Sequence, residues 1–163
     1  MSSDLSAKIQ ATGLALQEYQ AAVDDFDREM ARILGVNGTD LRCLEILIGD
    51  SDAEVTPRMI ADRLALTTGS VTTMLDRLER AGLIARTPHA TDRRKTVVEI
   101  TPEARARAWA MLAPLLEDGA ADIAARFSAD ELEVVQRFIV RATEHQRRHV
   151  ARLRGQGSSG GDR

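Results

Sequence analysis

The spacing of apolar side chains over the first third of the chain constrains the fold most. Leu5, Ile9, Thr12, Leu16, Tyr19, Val23, Phe26, Met30 and Ile33 recur in alternating steps of four and three, which is the seam of a heptad helix. A helix of roughly 30 residues is about 45 Å long, more than one small lobe needs, so it is expected to reach a second subunit. Gly35 and Gly38 bracket its end, and Thr39 is placed to cap a short helix carrying Leu41, Leu44, Ile46, Leu47 and Ile48.

Local signals mark the remaining elements. Thr56-Pro57 is a cap followed by a proline at the first helical position, opening a helix with Met59, Ile60, Leu64 and Ala65 turned inward. Thr67 starts the next helix, in which Val71, Met74, Leu75 and Leu78 form one apolar face and Gly82 is the left-handed stop. Two short helices joined by a tight turn predict a helix-turn-helix. The β-branched runs at 84–87 and 95–100, separated by the polar segment 88–94, predict a hairpin with a charged tip. A third short strand is expected beside it near 54–56. Thr101-Pro102 opens another long helix, which Pro114 is placed to kink, and Ser128-Ala129-Asp130-Glu131 is a capping box for the last one. The predicted helices are 5–34, 40–49, 57–65, 68–81, 102–126 and 129–153. The fold class is therefore mainly α: a winged helix-turn-helix lobe with a two- to three-stranded wing, plus long N- and C-terminal dimerisation helices. The expected divisions are 1–38 for the first dimerisation helix, 39–101 for the lobe, 102–154 for the C-terminal dimerisation helices and 155–163 for a disordered tail.

A net charge of -3 suits a nucleic-acid binder poorly until its distribution is examined. Residues 1–55 hold 4 basic and 11 acidic side chains, residues 56–107 hold 10 and 6, and residues 108–163 hold 8 of each. The basic excess thus falls on the winged lobe, where local potential rather than total charge acts on a phosphate backbone. No apolar run is long enough to span a membrane, and the N-terminus does not read as a secretion leader, so the protein is expected to be soluble and cytoplasmic. A single cysteine, Cys43, forms no internal disulfide.

In the helix from Thr68, advancing 100° per residue from Val71 turns Gly69, Thr72, Thr73, Asp76 and Arg77 away from the apolar face. Small residues at its leading end allow close backbone approach to base edges and phosphates; Thr and Ser can donate to bases or meet a thymine methyl, and Arg77 can take a phosphate or a guanine edge. A merely solvated face is the alternative. The tip places Arg93, Arg94 and Lys95 where a wing would lie beside the DNA backbone, an arginine there entering the minor groove. Asp92 is suited to orienting Arg94 or Arg77 through paired hydrogen bonds. The alternative for the tip is a soluble turn. The candidate DNA contacts are Thr67, Thr68, Gly69, Ser70, Thr72, Thr73, Arg77, Asp92, Arg93, Arg94 and Lys95.

The order and spacing of Leu64-Ala65-Leu66-Thr67-Thr68-Gly69-Ser70-Val71-Thr72, Leu75-Asp76-Arg77-Leu78-Glu79-Arg80-Ala81-Gly82-Leu83, Asp92-Arg93-Arg94 and Val98-Glu99-Ile100-Thr101-Pro102-Glu103 resemble the MarR family of bacterial regulators. The resemblance implies a homodimer joined through its first and last helices, recognition helices in successive major grooves of a near-palindromic operator, and wings in the flanking minor grooves. It also implies a repressor of transcription released by a small aromatic or anionic effector bound between scaffold and lobe. Oxidant-sensing members carry a cysteine in the first long helix; Cys43 lies in the second, and a buried, unreactive thiol is expected. His145 and His149, one turn apart, have the spacing of a metal pair, but their arginine-rich surroundings favour a solvated basic helix end. Trp109 and Tyr19 can line an effector pocket, although packing is the commoner use of such rings. No cofactor or metal is expected, and no grouping of nucleophile, base or carboxylate pair suggests an enzyme. The competing reading is a winged-helix protein-interaction module without specific DNA binding.

Overall fold

A computed structural model describes residues 3–50, 53–89, 91–92 and 95–158. Among these residues the elements run α1 (Ser3–Leu34), α2 (Gly38–Gly49), α3 (Pro57–Leu64), α4 (Thr68–Arg80), β1 (Ile84–Pro88), β2 (Thr96–Ile100), α5 (Pro102–Arg126) and α6 (Ala129–Ser158). They fall into two compact units, Met1–Ala113 and Pro114–Arg163; α5 contributes residues to both, and Pro114 lies inside it.

The first unit holds the core. Met30, Ala31 and Leu34 of α1, Leu41, Cys43, Leu44 and Leu47 of α2, Ile60 of α3, the apolar face of α4, both strands, and Ala104 and Ala108 of α5 are buried in one cluster. Chain breaks fall where local chemistry permits them. Gly35 adopts φ 71° after α1 and Gly82 adopts φ 70° after α4, where the Leu83 amide donates to the Leu78 carbonyl and closes the helix end. Thr56 and Thr101 cap α3 and α5 through their hydroxyl oxygens, as their Thr-Pro pairs predict. The cap of α2 is Asn37 rather than Thr39: its Oδ1 accepts the Asp40 amide at 2.9 Å, and Thr39 lies inside the helix. Asn is among the strongest N-caps, and starting there gives α2 one more half-turn.

The wing is a two-stranded antiparallel sheet with Ile84 opposite Ile100, Arg86 opposite Val98 and Pro88 opposite Thr96. Among the described residues the expected third strand is reduced to one backbone bond, from the Val98 amide to the Val55 carbonyl at 2.8 Å. Thr56 and Pro57 start α3 immediately afterwards, leaving no room for a ladder. The Thr101 hydroxyl donates to the Gly82 carbonyl at 2.9 Å, tying the end of β2 to the turn before β1.

Ala65 departs from its expected inward position. It is the exposed C-cap of α3 in the left-handed region, with φ 53° and ψ 43°. The turn of the helix-turn-helix thus rests on a conformation that costs an L-residue about 1–2 kcal/mol. Ala65→Gly is expected to raise the unfolding free energy by about 0.5–1 kcal/mol in denaturant titration at fixed protein concentration. A lower midpoint would show that the turn does not hold this conformation.

In the second unit, Ser128 and Glu131 form the predicted capping box: the Ser128 amide and hydroxyl donate to Glu131 Oε2, and the Glu131 amide donates to Ser128 Oγ. Those bonds hold the Glu131 carboxyl below its ordinary value. α6 continues to Ser158, so residues 155–158 of the expected tail are helical. Once nucleated, a long helix adds a bond with each further residue, which carries it past the glycines. Residues 159–163 lie outside the described set. From Pro114 to Gly155 no described side chain is buried. Leu115, Ile123, Phe127, Val135, Phe138 and Ile139 are among the large apolar side chains left exposed there.

Candidate nucleic-acid interface

The outward face of α4 is set by its inward one. Val71, Met74, Leu75 and Leu78 are at most 2% exposed, and that anchoring leaves Thr68, Gly69, Thr72, Thr73 and Arg77 on the surface. Thr67 caps the helix: its Oγ1 accepts the Ser70 amide at 3.2 Å and lies 2.9 Å from the Ser70 hydroxyl. The leading turn therefore gathers Thr67, Thr68, Gly69, Ser70, Thr72 and Thr73. The Thr72 hydroxyl donates to the Thr68 carbonyl at 3.0 Å and the Thr73 hydroxyl to the Gly69 carbonyl at 3.1 Å. With each hydroxyl donating to a carbonyl of its own helix, both residues present acceptor lone pairs and a methyl group to an external partner, which fits the thymine-methyl alternative read from the sequence. A Cβ added at Gly69 would meet no atom within 4 Å, so packing inside the protein places no demand for glycine there.

Arg77 is not held by Asp92. Its Nε donates to Asp40 Oδ2 at 2.9 Å and its Nη2 to Asp40 Oδ1 at 2.5 Å, a bidentate pair linking α4 to α2. Asp40 is 1% exposed, and its hydrogen bonds to Arg77 raise the guanidinium pKa above its ordinary value. A carboxylate removed from water needs such a partner. Sequence periodicity missed it because the partners are 37 residues apart. The available signal was a carboxylate one turn before Leu44, on the buried side of α2.

A second arginine binds the wing to α4. Arg86 of β1 donates through Nε to Glu79 Oε2 at 3.0 Å and through Nη2 to Asp76 Oδ1. These bonds, that to Asp76 foremost, raise the Arg86 pKa. One strand cation thus pairs with both acidic side chains of α4. At the hairpin tip, the His89 amide donates to the Lys95 carbonyl and the Lys95 amide to the Asp92 carbonyl. His89 Nδ1 accepts the Thr91 and Asp92 amides at 3.3 Å each, which leaves the proton on Nε2, 2.8 Å from Glu54 Oε2. Asp92 is half-buried with Oδ2 3.7 Å from Lys95 Nζ, and Lys95 is exposed. Arg93 and Arg94 lie outside the described residues.

Cys43 is fully buried, and burial, assisted by the charge of Asp40, pushes its thiol up to about 12, so no nucleophilic thiolate is available near neutral pH. His145 and His149 meet edge to face with ring centroids 4.6 Å apart, and among the described residues no group of three or more His, Cys, Asp or Glu side chains is placed to hold a metal. Trp109 and Tyr19 are 55% and 66% exposed. No helix among the described residues is long and apolar enough to cross a membrane.

Comparison with known proteins agrees with this geometry. A profile of the MarR family matches residues 34–95. The chain is 30% identical over 129 residues to the uncharacterised HTH-type transcriptional regulator YcgE of Bacillus subtilis, covering 79% of this chain and 82% of that protein. It is 29% identical over 110 residues to the HTH-type transcriptional regulator MhqR of the same organism, covering 68% and 72%. Among solved structures, a mutant of MepR from a multidrug-resistant clinical isolate of Staphylococcus aureus superposes with a TM-score of 0.67 at 17% identity, covering 83% of this chain and 96% of that one. The MepR-DNA complex from S. aureus superposes with a TM-score of 0.59 at 20% identity, covering 82% and 94%. With its winged lobe and this relationship across most of its length, the chain belongs to the MarR family of helix-turn-helix transcription regulators, which are not enzymes.

Proposed function

We propose that the protein is a sequence-specific repressor that binds a near-palindromic operator as a homodimer in the cytoplasm and is released by a small-molecule effector. The observation that carries the DNA reading is α4 itself: fully anchored on one face, it presents Thr68, Gly69, Thr72 and Thr73 on the other. The methyl groups of Thr72 and Thr73 suit a thymine methyl and their lone pairs an amino group, while Gly69 lets the backbone approach closely. Arg93, Arg94 and Lys95 of the wing would supply phosphate or minor-groove contacts, with Asp92 orienting Arg94.

Homodimerisation is supported by the uncovered seam of α1, where Leu5, Ile9, Tyr19 and Val23 are exposed, and by the unit from Pro114, which has no buried side chain among those described. Surfaces of this kind are covered in an obligate interface, expected to bury more than about 2,000 Å² in total. Repression is supported by one relative, the HTH-type transcriptional repressor YetL of B. subtilis, 33% identical over 73 residues. A MepR structure contains ethidium bromide. In this chain a cleft of about 800 Å³ between α1 and α2, edged by Asp24, Asp27, Arg28, Arg32, Asn37 and Arg42, would accept a charged effector.

The test is an equilibrium titration of protein shown by sedimentation to be dimeric against a selected operator duplex and a scrambled one at several salt concentrations. Arg94→Ala is expected to weaken binding on both duplexes and to reduce the salt slope by about one per subunit. An unchanged affinity and slope would remove the wing from the interface. Binding without salt dependence or sequence preference would favour a protein-interaction module, and a monomer at micromolar concentration would refute the dimer.

A further inference from the structure

Arg77 has two neighbourhoods. On the surface of α4 it continues the row Gly69, Thr73, Arg77 in steps of four, the row proposed above to face the duplex. Beneath the surface, Nε and Nη2 are taken by both oxygens of Asp40. A planar guanidinium gripped along one edge has one orientation, and its remaining donors, those of Nη1 and the second hydrogen of Nη2, are fixed with it. The side chain is 45% exposed while that of Asp40 is 2% exposed, so the gripped edge is buried while part of the guanidinium group reaches the surface. Asp40 is held in turn by α2, whose cap Asn37 accepts the Asp40 amide.

From this arrangement we infer that Asp40 is a positioning residue for sequence recognition: it holds the Arg77 guanidinium so that its outer N–H edge meets the duplex in register with Gly69 and Thr73. The inference rests on the DNA-binding reading of α4. It differs from a simple structural tie in one measurable respect. A tie would affect all DNA binding through stability, whereas an orienting carboxylate improves selectivity while its negative charge opposes binding to phosphate in general. Asp40 lowers the attraction of the surface for any duplex and raises the geometric precision of one contact.

The experiment selects an operator duplex from a randomised pool with the wild-type dimer, then titrates wild type, Asp40→Asn and the double variant Asp40→Asn/Arg77→Gln against that duplex and a scrambled one. The double variant leaves no buried charge without its partner and so keeps the test open if the single variant folds poorly. Asp40→Asn retains the Arg77 cation but frees its orientation. Its operator-to-scrambled affinity ratio is expected to fall about tenfold with no loss of affinity for the scrambled duplex. Adding Arg77→Gln should then weaken both duplexes alike, reduce the salt slope by about one per subunit, and leave the ratio where Asp40→Asn put it. The inference is overturned if Asp40→Asn keeps the ratio within twofold, if both duplexes weaken together in step with a lowered melting temperature, or if Arg77→Gln changes the ratio further. A wild-type protein that selects no sequence would overturn the DNA-binding reading as well. Selective wild-type binding with an unaltered ratio in Asp40→Asn would overturn this inference alone.

Discussion

Leu78→Ala is expected to lower the unfolding free energy by about 2–5 kcal/mol, a large share of the total for a small domain. Leu78 is 0% exposed, and with Val71, Met74 and Leu75 it seats α4 in the core. Deleting its branch removes apolar contact and leaves a space whose walls belong to several elements that cannot all close on it. Denaturant titration at constant protein concentration measures the loss, since the proposed dimer would make the midpoint concentration-dependent. DNA binding should fall in parallel with the folded fraction, and a saturating operator duplex should restore part of the apparent stability by mass action. A change below about 1 kcal/mol would mean that the site repacks and that α4 is held mainly by its two arginine pairs.

The contrast between those anchors shows which parts of the molecule local sequence can specify. Thr56-Pro57, Thr101-Pro102, Ser128 with Glu131, and Gly82 act within four or five residues of themselves, and each does in the structure what its type and spacing imply. The two faces of α4 are equally legible, because the 3.6-residue period places Val71, Met74, Leu75 and Leu78 on one side whatever surrounds them. Asn37 in place of Thr39 is a competition between adjacent caps that residue type alone does not decide. The pairings of Asp40 with Arg77 and of Arg86 with Asp76 and Glu79 join separate elements, and no periodicity reports them. Ala65 misled for a different reason: by the pattern it continues the inward side of α3, yet the turn takes it into the left-handed region, where glycine is the usual signal. As for the wing tip, spacing identifies its cations, but His89 bridging to Glu54 depends on a segment more than thirty residues upstream.

Arg86→Ala should have the largest effect on DNA binding with a modest effect on folding. Arg86 contacts Asp76 and Glu79, whose side chains are 47% and 44% exposed, so water can solvate both carboxylates once the arginine is gone and the stability loss should stay within about 1 kcal/mol. At the proposed DNA face the outcome is different. Two carboxylates without their cation would then sit on α4, and within a Debye length of about 8–10 Å they repel every nearby phosphate. At about 8 Å a single such pair costs roughly 0.5 kcal/mol in bulk water and more against a low-dielectric surface. Two carboxylates, each facing several phosphates, should weaken binding about tenfold or more at low salt. The deficit should appear on operator and scrambled duplexes alike and narrow as salt rises, since both the lost cation and the exposed anions act through screened charge. Arg86→Lys would keep the cation but not the fork, and should recover part of the affinity. The decisive comparison is Arg86→Ala/Asp76→Asn/Glu79→Gln, in which the repelling charges are removed together with their partner. If repulsion causes the loss, this triple variant, which lacks even the single net negative charge of the wild-type trio, should bind scrambled DNA at least as well as wild type. If affinity stays low, Arg86 acts by holding β1 against α4, and the defect is a displaced wing rather than an uncovered charge.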